Sequence, residues 1–110
     1  MTGDQLNKSA SEFKKLSERE KNKLLAKLRN EVDKADAEIV ELLVRRINLS
    51  LEIGLIKESS GMTTYDAQRE REIDKNISKM NQDPVIKKSL KRIYERIIDE
   101  SRAMQRERER

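Results

Sequence analysis

Apolar residues recur every three or four positions along a stretch that no proline interrupts, from Leu24 to about Glu58. This spacing places them on one face of an α-helix, in a pattern close to the heptad repeat of helices that associate. At about 1.5 Å per residue, such a helix would be roughly 50 Å long. Because a helix of that length cannot pack within one small domain, the pattern predicts association of two chains. The stripe consists of Leu25, Leu28, Val32, Ala35, Ile39, Leu42, Leu49, Ile53 and Ile56.

Two further helices are predicted downstream of a break between Ser59 and Thr64. Gly61, inside the break, is suited to ending a helix. A short helix is predicted from Asp66 to about Met80, and a third one of medium length from Pro84 to Met104, since proline is favoured at the first helical position. The predicted fold class is therefore all-α, with one long, one short and one medium helix in each chain.

The segment before the long helix is polar and poorly patterned. Ser17 is followed three residues later by Glu20, which is the spacing of a capping box at a helix start. We expect a polar N-terminal extension at residues 1–20, a helical domain at residues 21–106 and a charged tail at residues 107–110. The last residues, Arg106 to Arg110, alternate in charge and are expected to fray.

The composition excludes several classes of site and of protein. The 110 residues include no cysteine and no histidine, which excludes disulfides, thiol nucleophiles, Cys/His zinc sites and Ser-His-Asp triads. No apolar run approaches the roughly 18 residues of a membrane span. The N-terminus lacks the apolar stretch of a secretion signal, so we expect a cytoplasmic protein without membrane contact.

Charge argues against a nucleic-acid partner. The chain carries 25 basic and 21 acidic residues, for a net charge of +4, and the two signs are interleaved along the sequence. A nucleic-acid-binding protein usually concentrates its basic residues on one face. The interleaved pattern is typical of a solvated helix surface instead.

The residues with candidate chemistry are polar side chains that occupy core positions of the three stripes. Taken alone, each has a simpler explanation: a cation at a stripe edge can extend to solvent, and Asp66 can cap its helix. Together they form a set rich in cations, and an unpaired buried charge is too costly to persist. The pattern therefore predicts a pocket for a small anion. The set comprises Arg46 and Lys57 on the first helix, Asp66, Arg69 and Glu70 on the second, and Ser101 and Gln105 on the third.

Arg29 adds a geometric argument for two chains. It lies about 25 Å before Arg46 along an ideal helix and is rotated from it by roughly 100°. It cannot reach the same small ligand from the same helix, but it could do so from a second copy that runs antiparallel.

In their order and spacing, these residues resemble the all-helical chorismate mutase family over the range from Leu24 to Gln105. The resemblance implies an intertwined homodimeric helical bundle with two equivalent pockets. It implies that chorismate is rearranged to prephenate, for phenylalanine and tyrosine synthesis in the shikimate pathway, by an intramolecular Claisen shift without cofactor or metal. It rests on Leu28-Arg29 with Asp33 and Asp36, on Leu42 to Arg46, on Glu52 to Lys57, on Asp66 to Arg71 and on Ile97 to Gln105.

The resemblance also implies a role for each residue of the set. Arg46, and Arg29 from the other chain, would bind the two carboxylates of chorismate. Lys57 would donate to the ether oxygen and to a carboxylate, and Gln105 would donate to the same ether oxygen from the opposite side. Some relatives have a glutamate at the position of Gln105, which must be protonated to donate. The glutamine therefore predicts activity that does not require acid.

The remaining implied roles concern the ring hydroxyl and the neighbours of the ligand. Glu70 would accept a hydrogen bond from the hydroxyl, assisted by the backbone of Asp66. Arg69 and Ser101 would orient the ligand or its neighbours. Relatives fused to a prephenate dehydratase or dehydrogenase continue past the third helix, whereas this chain ends there, so a single activity is expected.

Two other functions stay open. An isochorismate-pyruvate lyase on the same scaffold eliminates pyruvate from a related dianion, although the segment from Asp66 to Glu70 favours the mutase. A non-enzymatic helical interaction module would instead use Arg46 as a polar residue that sets the register of a coiled coil.

Overall fold

The computed structural model describes residues 9–108. These residues form a short 3-10 turn, Ala10–Glu12, and three α-helices: α1, Glu18–Ser59; α2, Ala67–Met80; and α3, Pro84–Arg108. No β-strand occurs within the described range, and the predicted all-α class with one long, one short and one medium helix is confirmed. Residues 1–8 of the predicted N-terminal extension and residues 109–110 of the predicted tail lie outside the described residues.

The chain divides into two units, Met1–Leu43 and Val44–Arg110. The first unit contains the 3-10 turn and the first part of α1, and the second contains the rest of α1 together with α2 and α3. The domain boundaries predicted near residues 20 and 106 stay a prediction. Among residues 9–108, none of the helices has the length and apolar character needed to cross a membrane.

The start of α1 is set by a capping box, as its sequence spacing predicts. The backbone N–H of Glu20 donates to the Ser17 hydroxyl oxygen at 3.1 Å, and the backbone N–H of Ser17 donates to the Glu20 carboxylate at 3.0 Å. Hydrogen bonding to the carboxylate, first by the backbone N–H of Ser17 and then by the Ser17 side chain, holds the pKa of Glu20 below its ordinary value. The helix therefore begins at Glu18, ahead of Leu24, where the predicted helical segment begins.

Replacing Ser17 with alanine is expected to lower the melting temperature by about 2–5 °C near neutral pH, because one N-cap hydrogen bond is lost. A carboxylate with a lowered pKa stabilises the fold above the pKa of its unfolded state, and this contribution is lost as the pH falls through its folded pKa. Ser17→Ala keeps the backbone N–H that is the main cause of this lowered pKa and loses only the smaller side-chain contribution. Both proteins should therefore lose stability in acid, and the difference between them should shrink only slightly. Thermal unfolding followed by circular dichroism checks this, with Ser11→Ala as a control that removes no cap.

The breaks between the helices of the second unit are also built from local signals. At the end of α1, Gly61 has a φ of 69°, in the left-handed region that favours glycine. Its N–H donates to the Glu58 carbonyl at 3.0 Å, and the N–H of Met62 donates to the Lys57 carbonyl at 2.8 Å, which is a Schellman motif. At the start of α3, the Asp83 carboxylate accepts the backbone N–H groups of the first turn.

In the second unit, α2 packs against α3. Among residues 9–108, Ile77 on α2 is the one hydrophobic side chain in the buried class, at 7% exposure. Apolar side chains that α1 contributes to this unit are exposed to solvent, with Leu49 and Ile53 each 51% exposed. The expectation that the chain frays from Arg106 is wrong in part, because α3 continues through Arg108.

Candidate active site

A cleft of about 260 Å³ lies within the second unit, between the last turns of α1, the connection to α2, α2 itself and α3. Four of the residues that line it are apolar: Leu49, Ile53, Ile73 and Ile98. Its walls include every predicted site residue except Arg29, so the structure brings the polar interruptions of the three stripes together in one cleft. The predicted residues in the walls are Arg46, Lys57, Asp66, Arg69, Glu70, Ser101 and Gln105.

Arg46 is held in the cleft by neutral partners. Its Nη1 donates to the Ser101 hydroxyl at 3.2 Å, and its guanidinium lies 5.9 Å from the centre of the Tyr94 ring. The Ser101 hydroxyl in turn donates to the Ile97 carbonyl at 2.9 Å. Within residues 9–108, no carboxylate lies within 4.0 Å of Arg46. Because no acid neutralises it there, its positive charge is available to an anion.

Lys57 and Asp66 face each other across the turn that joins α1 to α2. The Lys57 Nζ lies 3.8 Å from one oxygen of Asp66, and the Lys57 side chain is 17% exposed. The other oxygen of Asp66 accepts the backbone N–H of Arg69 at 3.0 Å and caps α2. One oxygen of Asp66 therefore caps α2, and the other faces Lys57; its role toward a ligand stays a prediction.

The most buried residues of α3 are polar. Ser101 is 6% and Gln105 is 8% exposed, and they lie four residues apart on one helix face. The Gln105 Nε2 donates to the Ser50 carbonyl at 2.6 Å. Since an amide nitrogen carries two N–H groups, the second one is available to a molecule in the cleft.

Arg69 and Glu70, side by side on α2, have different partners. The Arg69 guanidinium is largely exposed and pairs with Glu72 at 3.2 Å along the helix surface. The Glu70 carboxylate lies 3.3 Å from Arg102 on α3, and both side chains are mostly buried, at 30% and 24% exposure. Glu70 is thus held at the cleft wall, while Arg69 sits at its solvent edge.

Arg102 lines the cleft and was absent from the predicted set. It bridges Glu70 and Asp99, the latter at 2.9 Å, and its guanidinium lies 5.2 Å from the centre of the Tyr65 ring. It lies next to Ser101, off the stripe of α3 that contains Ser101 and Gln105, so the periodicity of that stripe does not predict it. A carboxylate at a core position requires a cation nearby, so Glu70 was the signal that could have led to it.

Arg29 belongs to the first unit, where it is exposed on α1, and the cleft is lined by second-unit residues throughout. The cleft walls carry a formal excess of two positive charges, since four basic and two acidic side chains line them. With four apolar side chains, four residues that carry an amide or hydroxyl group, and this excess, the cleft is suited to a small dianion with an apolar ring.

Comparisons with known proteins point to one family. The family model for chorismate mutase type II matches residues 28–106. The bifunctional chorismate mutase/prephenate dehydratase of Aquifex aeolicus (strain VF5) is 39% identical over 59 residues, which are 54% of this chain but span only 16% of that relative. The chain resembles a solved structure of chorismate mutase (form II) from Thermus thermophilus, with a TM-score of 0.70 and 29% identity over 74% of this chain and 93% of the other. Since the family model matches well over half of this chain, the chain belongs to the chorismate mutase type II family.

Proposed function

We propose that this protein is a chorismate mutase, an isomerase that converts chorismate into prephenate in the synthesis of phenylalanine and tyrosine. The observation that carries the proposal is the position of Arg46, an arginine without a carboxylate partner among residues 9–108, in the wall of a cleft with Lys57 and Gln105. The cytoplasmic location stays a prediction.

The reaction is a rearrangement within one molecule and needs no nucleophile from the protein. The enzyme holds the dianion in the compact conformer in which the two reacting carbons meet. Arg46 binds one carboxylate of that conformer. Glu70, oriented by Arg102 at 3.3 Å, accepts a hydrogen bond from the ring hydroxyl, with the backbone of Asp66 beside it.

Negative charge develops on the ether oxygen as its bond to carbon breaks. Donors that are already in place stabilise this charge without reorganising during the reaction. Lys57 donates from α1, and the free N–H of Gln105 donates from α3. Ser101 acts through Arg46, to which it is hydrogen-bonded at 3.2 Å, and Arg69 attracts the dianion to the solvent edge of the cleft.

The proposed partner is a second copy of the chain. Apolar side chains of the first unit are about half exposed, with Leu25 and Leu28 at 46% and Leu42 at 60%. A monomeric protein rarely leaves large apolar patches open, and a second long helix would cover such a stripe. In the proposed homodimer, Arg29 of each chain binds the second carboxylate in the cleft of the other.

The direct test is to incubate the purified chain with chorismate, follow the loss of its absorbance and identify the product. Prephenate is the expected product, and the mass in solution is expected to be that of a dimer. A parallel incubation with isochorismate examines the lyase alternative. Pyruvate release from isochorismate without prephenate formation from chorismate would overturn the proposal, and no turnover of either compound would favour a non-enzymatic interaction module.

The pH dependence is expected to distinguish Gln105 from a glutamate at the same position. An amide donates a hydrogen bond at any pH, so wild-type kcat/KM should stay nearly flat between about pH 5 and pH 8. In Gln105→Glu, the side chain donates only when protonated, and activity should fall by about tenfold per pH unit above the pKa of that carboxyl. The control is Gln82→Glu, since Gln82 bonds to the Lys79 carbonyl outside the cleft. Parallel pH profiles for the two variants would contradict the assignment of Gln105.

A further inference from the structure

Gly54 lies inside α1, where glycine is unfavourable. It is the buried residue of that helix. A glycine in a helix interior loses more backbone freedom on folding than alanine does and lowers helix stability. Gly61 is explained by its φ of 69° at a helix end, but Gly54 is helical and needs another reason.

The space beside Gly54 is occupied by Gln105. A Cβ atom added to Gly54 would lie 3.0 Å from the Cγ of Gln105 and 3.3 Å from its Nε2. These distances are shorter than ordinary van der Waals contact between such atoms, which lies near 3.5–4.0 Å. The Gln105 side chain would therefore have to move if residue 54 had a side chain.

The missing side chain also uncovers a backbone acceptor. The carbonyl of Ser50 accepts the helical hydrogen bond from the residue four positions later, which is Gly54. Because Cβ atoms tilt toward the N-terminus of a helix, a side chain at position 54 would lie over this carbonyl. With glycine there, the carbonyl also accepts the Gln105 Nε2 at 2.6 Å.

We propose that Gly54 is a positioning residue, which lets one N–H of Gln105 bind the Ser50 carbonyl so that the other points at the reacting ether oxygen. The inference rests on the proposed function, in which that N–H stabilises the developing negative charge. A flexible glutamine is held by this bond before the substrate arrives, which is the preorganisation that charge stabilisation requires.

Gly54→Ala is expected to lower kcat by about 3–10-fold, with a smaller change in KM, because Gln105 has to shift by a few tenths of an ångström, less than the displacement of about 1 Å that costs roughly 10²-fold. Helical content and the mass in solution should stay as in wild type, since alanine favours helix. Glu52→Ala, an exposed alanine substitution in the same turn, should change kcat by less than about twofold. Wild-type turnover in Gly54→Ala would overturn the proposal.

A double-mutant cycle separates positioning from a merely structural effect. Gln105→Ala lacks the Cγ atom that a side chain at position 54 would displace. Adding Gly54→Ala to this variant should therefore lower kcat further by less than about twofold, because the Gln105 side chain is already absent. An equal loss in both backgrounds would mean that Gly54 acts elsewhere and would overturn the proposal.

A measurement on the unliganded protein keeps this inference apart from the proposed reaction. In wild type, the side-chain amide of Gln105 should show one slowly exchanging N–H in nitrogen-15 NMR spectra, identified by its loss in Gln105→Ala. Two rapidly exchanging protons would overturn the positioning role even if chorismate is turned over. A protected proton in a protein without mutase activity would support the contact and refute only the proposed function. The wild-type spectrum decides even where Gly54→Ala fails to fold.

Discussion

Replacing Arg46 with alanine is expected to lower kcat/KM for chorismate by about 10²–10³-fold, because removing one partner of a buried, hydrogen-bonded charge pair costs about 2–5 kcal/mol. The reason is the position of its guanidinium, in a cleft wall and without a carboxylate partner among residues 9–108. Both partners of Arg46, Ser101 and Tyr94, are neutral. Its removal therefore leaves no buried acid unpaired, and the helical circular dichroism should remain.

The neighbouring Arg45 provides a matched control, because it is exposed on the same helix turn. Arg45→Ala changes the net charge by the same amount and should alter kcat/KM by less than about twofold. Arg46→Lys keeps the charge but loses the planar fork that matches a carboxylate, so its activity should lie between wild type and Arg46→Ala. Steady-state kinetics with chorismate measures all three variants. Wild-type activity in folded Arg46→Ala would refute the assignment of Arg46 as a carboxylate-binding residue.

The helices could be predicted because their boundaries depend on local chemistry. The capping box at Ser17, the glycine at Gly61 and the proline at Pro84 each act within one helical turn, so their spacing in the sequence is sufficient. The apolar periodicity alone predicts a start of α1 near Leu24. The structure starts it at Glu18, because hydrogen bonding of the first turn, and not burial, determines where a helix begins.

The cleft could be predicted in part because buried side chains follow the helical period. Arg46, Ser101 and Gln105 were found as polar residues on otherwise apolar faces, and each lines the cleft. Arg102 and Gly54 were missed because their significance depends on a second helix. Nothing near Arg102 in the sequence shows that Glu70 lies 3.3 Å away, and the contact between Gly54 and Gln105 joins two helices.

A mixture of two inactive variants is expected to regain activity if Arg29 completes the cleft of the other chain. Arg29→Ala and Arg46→Ala should each be nearly inactive alone. In a mixed dimer, one cleft combines Arg46 of the first variant with Arg29 of the second and is intact, while the other cleft lacks both arginines. Equal amounts that are unfolded together and refolded should give half mixed dimers, and therefore about a quarter of wild-type activity, by the symmetry of a two-fold dimer.

The control mixture pairs Arg46→Ala with Lys57→Ala. Both residues line one cleft within a single chain, so every cleft of that mixed dimer lacks one of them and no activity should return. The same refolding protocol applied to each variant alone sets the background. Recovery in the first mixture but not in the second requires that Arg29 act across chains, because exchange of whole chains is the same in both. If neither mixture recovers while wild type refolds fully, Arg29 does not act in the cleft of a second chain. The exposed stripe of Leu25 and Leu28 would then need another occupant.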